Sequence, residues 1–171
     1  VSLVNTMSRE TVLRQYVNSV KNDYDYVLLD CRPALGMLVI NALSASDYVL
    51  VPVQAEYFAA EDMTELVNTV QNIKRQINPK LKIGGVFMTM ANETNFRKDI
   101  IASVKATYGK HLPIMQAVVP DTVRLAEIST ADCSIFKHEP KGKAAEAYRT
   151  LVKEVMEIGE KQRTRSANNT R

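Results

Sequence analysis

The sequence predicts an α/β fold with a doubly wound, mostly parallel sheet and helices on both faces of that sheet. Continuous apolar runs without polar alternation are typical of strands that are covered on both sides. Segments with apolar residues at helical spacing separate these runs, which is the order expected of βαβ units. The predicted strands are Tyr26–Leu29, Tyr48–Val53, Leu81–Met90 and, as a fourth candidate, Pro113–Val119.

The first half of the chain is predicted to contain a helix on each side of the first strand. Residues 8 to 22 are predicted to be helical because Val12, Tyr16 and Val20 recur at helical spacing. Residues 35 to 45 are predicted to form a buried helix after Pro33. Pro52 marks the end of the second strand, since proline removes a donor from the hydrogen-bond ladder.

The second half of the chain continues the alternation of strands and helices. Its predicted helices, separated by breaks at Asn78-Pro79 and Gly109, are 60–77, 95–108, 122–130 and Ala144–Ile158. Gly84 and Gly85 within the third strand predict a close backbone approach or a bulge. We therefore expect one domain over residues 1–158, followed by a polar, disordered tail over 159–171.

Composition sets limits on the class of protein. The 171 residues are 46% apolar and 24% charged, which is typical of a soluble globular domain. Cys31 and Cys133 are far apart, which excludes a disulfide scaffold or a CxxC module and suits a reducing cytoplasm. The net charge of +3 comes from residues 160 to 171, so the remaining body is neutral and bulk charge does not indicate nucleic-acid binding. The sequence has no apolar run long enough to span a bilayer.

The carboxyl ends of the predicted strands are where a ligand is expected in such a sheet. Asp30 follows four apolar residues, which is the pattern of a Walker B acid that holds Mg²⁺, although an aspartate at this position can also cap the next turn. His111 and His138 have no ligand-type neighbours at metal spacing and are expected in surface loops.

Several blocks in the same order resemble one family. Residues 24–70, followed by LKIGGVFMTM, VVPDTVRLAEIS and EPKGKAAEAY, closely resemble the ParA/Soj family of chromosome and plasmid partitioning ATPases, which are related to MinD. The resemblance covers about residues 8–158 and implies a P-loop NTPase type of fold. It further implies ATP and Mg²⁺ as cofactors, a dimer, non-specific DNA and a ParB-like protein as partners, and a nucleoid-associated place in the cytoplasm.

The resemblance also implies roles for particular residues. Asp30 corresponds to the acid near Mg²⁺, and Pro120 with Asp121 to the loop over the adenine base. Arg124 corresponds to an arginine linked to DNA binding, although it can equally pair with Glu127 three residues later on a helix. The implied switch loop departs from the family's two prolines and serine and contains Cys31, Arg32, Pro33, Ala34 and Gly36.

The glycine-rich phosphate loop of that family has no counterpart in this sequence. No GxxxxGK[ST] spacing occurs, and the one Gly-Lys pair, Gly142-Lys143, is followed by Ala144. We therefore expect no catalytic residues and no ATP hydrolysis by this chain alone. We also expect it to self-associate, to swap elements between copies or to be only marginally stable. The alternative is a non-catalytic module that pairs with ParA-type ATPases. The final residues lack bulky apolar groups, so no membrane anchor is expected.

Overall fold

A computed structural model describes residues 8–32, 36–54, 60–91 and 95–168 of the chain. A short 3-10 turn at Arg9–Thr11 precedes the first helix. The α-helices are α1 Val12–Val20, α2 Met37–Ala45, α3 Ala60–Gln76, α4 Asn95–Tyr108, α5 Val123–Ala131, α6 Ile135–His138 and α7 Lys143–Asn168. The strands are β1 Tyr48–Gln54, β2 Lys82–Ala91 and β3 Ile114–Pro120.

The strands form a sheet in the order β1-β2-β3, and β2 runs parallel to β3. Both findings confirm the predicted α/β class. The register between β2 and β3 shifts twice, since Val86 lies opposite Ile114 and Met88 lies opposite Val118. A side chain at Gly85 would collide with that of Met115, which confirms the close approach predicted for the glycine pair.

The contacts divide the chain into two compact units. The first unit comprises Val1–Val49 and Ala59–Ile83, and the second comprises Leu50–Phe58 and Gly84–Arg171. The core of the first unit lies between α2 and α3, because the apolar faces of both helices turn inward. Its buried members are Val39, Leu43, Val70, Ile73 and Leu81.

Polar side chains close the ends of the helices in the first unit. The Arg14 guanidinium on α1 donates to the carbonyl oxygen of Ser44 at 2.6 and 2.8 Å and to that of Ile77 at 3.1 Å. These carbonyls belong to the carboxyl ends of α2 and α3, where a cation is favoured by the helix dipoles. Asn78 donates from its amide to the carbonyl oxygens of Leu43 and Ser46. One arginine and one asparagine therefore tie together the ends of these helices.

In the second unit, helix α7 packs against strand β3. Glu154 on α7 accepts the backbone N–H groups of Gln116 and Ala117, both at 2.9 Å. These two groups lie in the irregular stretch of β3 between its register positions at Ile114 and Val118. A bulge leaves backbone donors without a ladder partner, and here a carboxylate of the packed helix supplies the acceptor.

Two parts of the described structure differ from the sequence expectation. Tyr26–Leu29 was predicted as a covered strand, but it has no regular secondary structure, and Leu28 is 81% exposed. Its apolar side chains favour a strand, yet the sheet of β1, β2 and β3 does not include it. Helix α7 continues through Gly159 to Asn168, where a disordered tail was expected, because good helix formers such as Glu160 and Lys161 follow the glycine. The division into a domain over 1–158 and a tail stays a prediction.

Candidate functional site

The carboxyl ends of the three strands meet within the second unit. Gln54, the last residue of β1, donates from its side-chain amide to the sulfur of Met90 near the end of β2 at 3.1 Å. The backbone N–H of Asp121, just after β3, donates to the carbonyl oxygen of Ala91 at 3.2 Å. We call Gln54, Met90, Ala91, Pro120 and Asp121 the carboxyl edge. Ligands of parallel sheets bind beyond such an edge.

A strained residue shapes this edge. Between Met88 and Ala91 strand β2 has one residue more than the facing part of β3, and Met90 has a φ of 51°. A non-glycine residue in the left-handed region costs roughly 1–2 kcal/mol, and such strain concentrates at functional positions. The bulge leaves the Met90 side chain 48% exposed at the sheet end, where it meets Gln54.

Pro120 and Asp121, which the family resemblance assigns to the loop over the adenine base, lie at the carboxyl edge. Pro120 is the last residue of β3 and is buried, whereas Asp121 is exposed. Thr122 then caps α5, and its side chain accepts the backbone N–H of Leu125 at 3.3 Å. The segment therefore turns sharply from strand to helix, with the Asp121 carboxylate left in solvent at the turn.

Arg124 forms an ion pair in the first turn of α5. Its Nη1 lies 2.9 Å from Glu127 Oε2, and His138 Nε2 lies 3.0 Å from the same oxygen. A cation is disfavoured at the amino end of a helix, so the Glu127 carboxylate offsets that interaction. The pairing that the sequence offered as the alternative to DNA binding is thus present.

The charges of this cluster shift the proton affinities of its members. Hydrogen bonds from His138 and then from Arg124 lower the pKa of Glu127. The hydrogen bond and the charge of Glu127, with a further contribution from Glu139, raise the pKa of Arg124. Because the folded-state pKa of Glu127 is lowered, its stabilising contribution is present above the usual glutamate range and is lost as the pH falls through the lowered pKa.

His138 shows what sequence inspection missed. It was expected in a surface loop, but it ends α6 and its side chain is only 25% exposed. The short spacing of Arg124 and Glu127 signals their pairing, whereas nothing in the sequence places a residue from α6 beside them. Residue contacts that depend on how α5 and α6 fold back on each other are not local in sequence.

The other residues to which the family resemblance assigns a role belong to the first unit. Asp30 and Arg32 are exposed, and Gly36 immediately precedes α2, where its carbonyl oxygen accepts the N–H of Ile40 at 3.1 Å. Pro33 and Ala34 lie outside the described residues. Burial, and secondarily the nearby Asp30 carboxylate, raises the pKa of the Cys31 thiol. The switch loop is therefore described only at its two ends.

The donor chemistry of Asp30 fits Mg²⁺. Mg²⁺ binds through one or two carboxylates together with phosphate oxygens and water, so a single exposed aspartate is a suitable protein ligand. Within residues 8–32, 36–54, 60–91 and 95–168, no group of three His, Cys, Asp or Glu side chains is arranged to hold a metal. In the same ranges, no helix has the length and apolarity required to cross a bilayer.

A family model and several known proteins are similar to this chain. A family model described as an AAA domain matches residues 1–83. Soj, the sporulation initiation inhibitor protein of Bacillus subtilis, is 41% identical over 160 residues, which cover 93% of this chain and 62% of that protein. The chromosome partitioning protein ParA of Myxococcus xanthus is 36% identical over 91% of this chain and 55% of its own length. The chain thus spans less than two thirds of the length of these relatives.

Solved structures support the fold. A crystal structure of cobyrinic acid a,c-diamide synthase from Mycobacterium smegmatis has a TM-score of 0.70 and 29% identity, covering 86% of this chain and 53% of that one. The same enzyme with a bound ATP analogue and magnesium has a TM-score of 0.65 and 30% identity, covering 70% of this chain and 47% of the other.

The sequence blocks and the relatives agree on one assignment. The identities extend over about nine tenths of the chain, well beyond the segment with the Asp30 motif. The parallel pairing and the strand–helix alternation agree with the same assignment. The chain is therefore a homologue of the ParA/Soj chromosome-partitioning proteins over about nine tenths of its own length.

Proposed function

We propose that this chain is part of a ParA-type partitioning ATPase, which binds ATP with Mg²⁺ and non-specific DNA to segregate a plasmid or chromosome. The observation that carries the proposal is the carboxyl edge, where Gln54, Met90 and Asp121 gather at the ends of three strands. The 41% identity to Soj supports the same function, and the similar enzyme from Mycobacterium smegmatis holds an ATP analogue and magnesium.

In this proposal the described residues have separate roles. Asp30 supplies a carboxylate to Mg²⁺, which neutralises phosphate charge when bound. Pro120 and Asp121, at the carboxyl edge of the second unit, contact the adenine base. The strand-to-helix turn at Thr122 fixes the position of Asp121, because the cap orders the backbone around it.

The chain alone is proposed not to hydrolyse ATP. Phosphoryl transfer depends on groups that position and stabilise the phosphates, and the sequence contains no glycine-rich loop with its lysine. The further partners are a ParB-like protein, non-specific DNA and a second copy of the chain, in a cytoplasmic, nucleoid-associated setting.

Nucleotide titration tests this proposal. We expect calorimetry to detect ATP binding in the millimolar range, strengthened by Mg²⁺, without phosphate release. Asp30→Asn should remove the effect of Mg²⁺, and Asp121→Ala should weaken binding with or without the metal. Asp132→Ala is a matched control, since Asp132 is an exposed aspartate after α5. Unaltered binding in both site variants would contradict the assigned roles, and steady phosphate release would show that this chain is catalytic.

A second candidate function is a non-catalytic module that pairs with ParA-type ATPases. The exposed apolar side chains of Val27 and Leu28 favour it, because a solvent-facing apolar segment with strand preference can bind to the sheet of another protein. Titration of the chain into a full-length ParA-type ATPase separates the two candidates. A change in that enzyme's ATP turnover which Leu28→Lys abolishes would support the module.

A further inference from the structure

The outward face of α7 carries apolar side chains beside α6. Phe136, Val152 and Met156 are 41%, 48% and 47% exposed, respectively. Together with charged neighbours they line a shallow groove of about 550 Å³. We call this the α7 groove, and its lining residues are Phe136, Arg149, Val152, Lys153, Met156, Glu157 and Glu160.

The α7 groove continues an apolar face of α7 towards the carboxyl end of the helix. Ala144 and Ala145 are fully buried against the neighbouring helices, and Glu154 accepts its hydrogen bonds from β3. Val152 and Met156 follow Ala145 by seven and eleven residues, so they continue its stripe and lie opposite Glu154. The described part of the second unit buries the start of this stripe at Ala145 but leaves Val152 and Met156 half exposed.

The amino-terminal wall of the groove is held in place by several contacts. Arg149 lies over the Phe136 ring with its guanidinium carbon 5.4 Å from the ring centroid. Its Nη1 pairs with Glu146 at 2.7 Å, and its Nη2 donates to the carbonyl oxygen of Pro140 at 2.7 Å. Binding at this wall requires little further ordering of Arg149, since the contacts with Phe136, Glu146 and Pro140 already hold its side chain.

The order of charges along the groove determines what fits it. Arg149 and Lys153 lie towards the amino end of α7, and Glu157 and Glu160 lie towards the carboxyl end. Met156 lies between the basic and acidic halves. An antiparallel copy of the same helix brings its acidic half against the basic half, whereas a parallel copy places like charges together.

We propose that two copies of this chain associate through the α7 groove as an antiparallel, two-fold symmetric pair of helices. The Met156 side chains of both copies meet near the axis, and Lys153 of each copy faces Glu157 of the other. A single helix pair buries a small area, so the dimer is weak, concentration-dependent and sensitive to salt. The association requires no nucleotide and does not depend on the proposed ATPase role.

Variants that reverse the charge of Lys153 or Glu157 test this interface. Sedimentation equilibrium without nucleotide should show a monomer–dimer equilibrium for the unmodified chain. Lys153→Glu alone and Glu157→Lys alone each place like charges across the axis and should weaken dimerisation at least about tenfold. An equimolar mixture of these two variants should form a heterodimer, because one copy then presents two carboxylates to the two ammonium groups of the other.

Two further variants make the result specific. Lys105→Glu makes the same charge change on an exposed residue of α4 and should leave dimerisation unchanged. Met156→Asp should abolish the homodimer and the recovery in the mixture. Circular dichroism checks that every variant is folded. A chain that stays monomeric up to about 1 mM, single variants that dimerise like the parent, or a mixture that stays monomeric would each overturn the proposal.

Discussion

Arg124 is engaged by a carboxylate that competes with any phosphate it could bind. Glu127 holds the guanidinium at 2.9 Å and is itself held by His138 at 3.0 Å. A DNA phosphate therefore has to displace an existing partner rather than meet an unoccupied cation. The proposed contact of Arg124 with DNA therefore requires Glu127 to release the guanidinium.

Removal of the competing carboxylate should strengthen DNA binding. We expect Glu127→Gln to raise, and Arg124→Ala to lower, the affinity for DNA of any sequence by about two- to fivefold at low salt. Fluorescence anisotropy over a salt series measures both effects, and Arg124→Ala should reduce the salt slope by about one. Arg75→Ala on α3 serves as the control. Equal affinities in all the variants would leave Arg124 as a structural partner of Glu127.

The thiol of Cys31 reports the charge of Asp30. Since burial and the Asp30 carboxylate raise the pKa of Cys31, less thiolate is present at neutral pH than for a free cysteine, and alkylation should be slow. The rate should rise as the pH approaches the raised pKa. In a Cys133→Ser background, Asp30→Asn should lower the pKa of Cys31 and accelerate its reaction with iodoacetamide at neutral pH. An unchanged pH profile would place the Asp30 charge away from Cys31.

At the scale of elements, the β3 bulge depends on a side chain from α7. Glu154 accepts two backbone N–H groups that the irregular register of β3 leaves outside the ladder. We expect Glu154→Ala to lower the free energy of unfolding by about 1–3 kcal/mol, because the donor at Ala117 then lacks an acceptor. Glu154→Gln retains one acceptor oxygen. Its free energy of unfolding, measured by urea denaturation, should therefore fall less than that of Glu154→Ala.

A nearby glutamate provides the reference for that measurement. Glu157 is exposed on the same helix and accepts no bond from β3 in the described structure. Glu157→Ala should therefore leave the urea midpoint close to that of the parent at low protein concentration. If both alanine variants were equally stable, the bidentate contact of Glu154 would have no energetic role.

Most elements were predictable because their signals are local. The apolar stripe and the Asn78-Pro79 break predict α3, and the run from Tyr48 predicts β1. The predicted strand Pro113–Val119 implies a carboxyl end at Pro120, whereas the role of Pro120 and Asp121 beside a base comes from the family resemblance alone. The lack of regular secondary structure at Tyr26–Leu29 could not be predicted, because strand preference does not reveal whether a neighbouring strand is available. The bulge at Met90 depends on the register with β3 and has no local signal.

For the whole molecule, protection from hydrogen exchange should follow the cores of the two units. Val70 and Val86 are 2% and 0% exposed in α3 and β2, so their amides should exchange slowly. The amides of Val27 and Leu28 should exchange close to the rate of an unstructured peptide. Mass spectrometry with peptide resolution distinguishes these segments. Strong protection at 27–28 in the isolated monomer would mean that the segment is covered in solution.

The solvent-facing Val27 and Leu28 also affect the fate of the chain in a cell. Chaperones that hold unfolded proteins recognise short apolar stretches, and proteases cleave extended backbone that is open to them. We therefore expect quality control to lower the abundance of the isolated chain, and a partner that covers the segment to raise it. Co-expression with such a partner should raise the yield more than a change that stabilises either core.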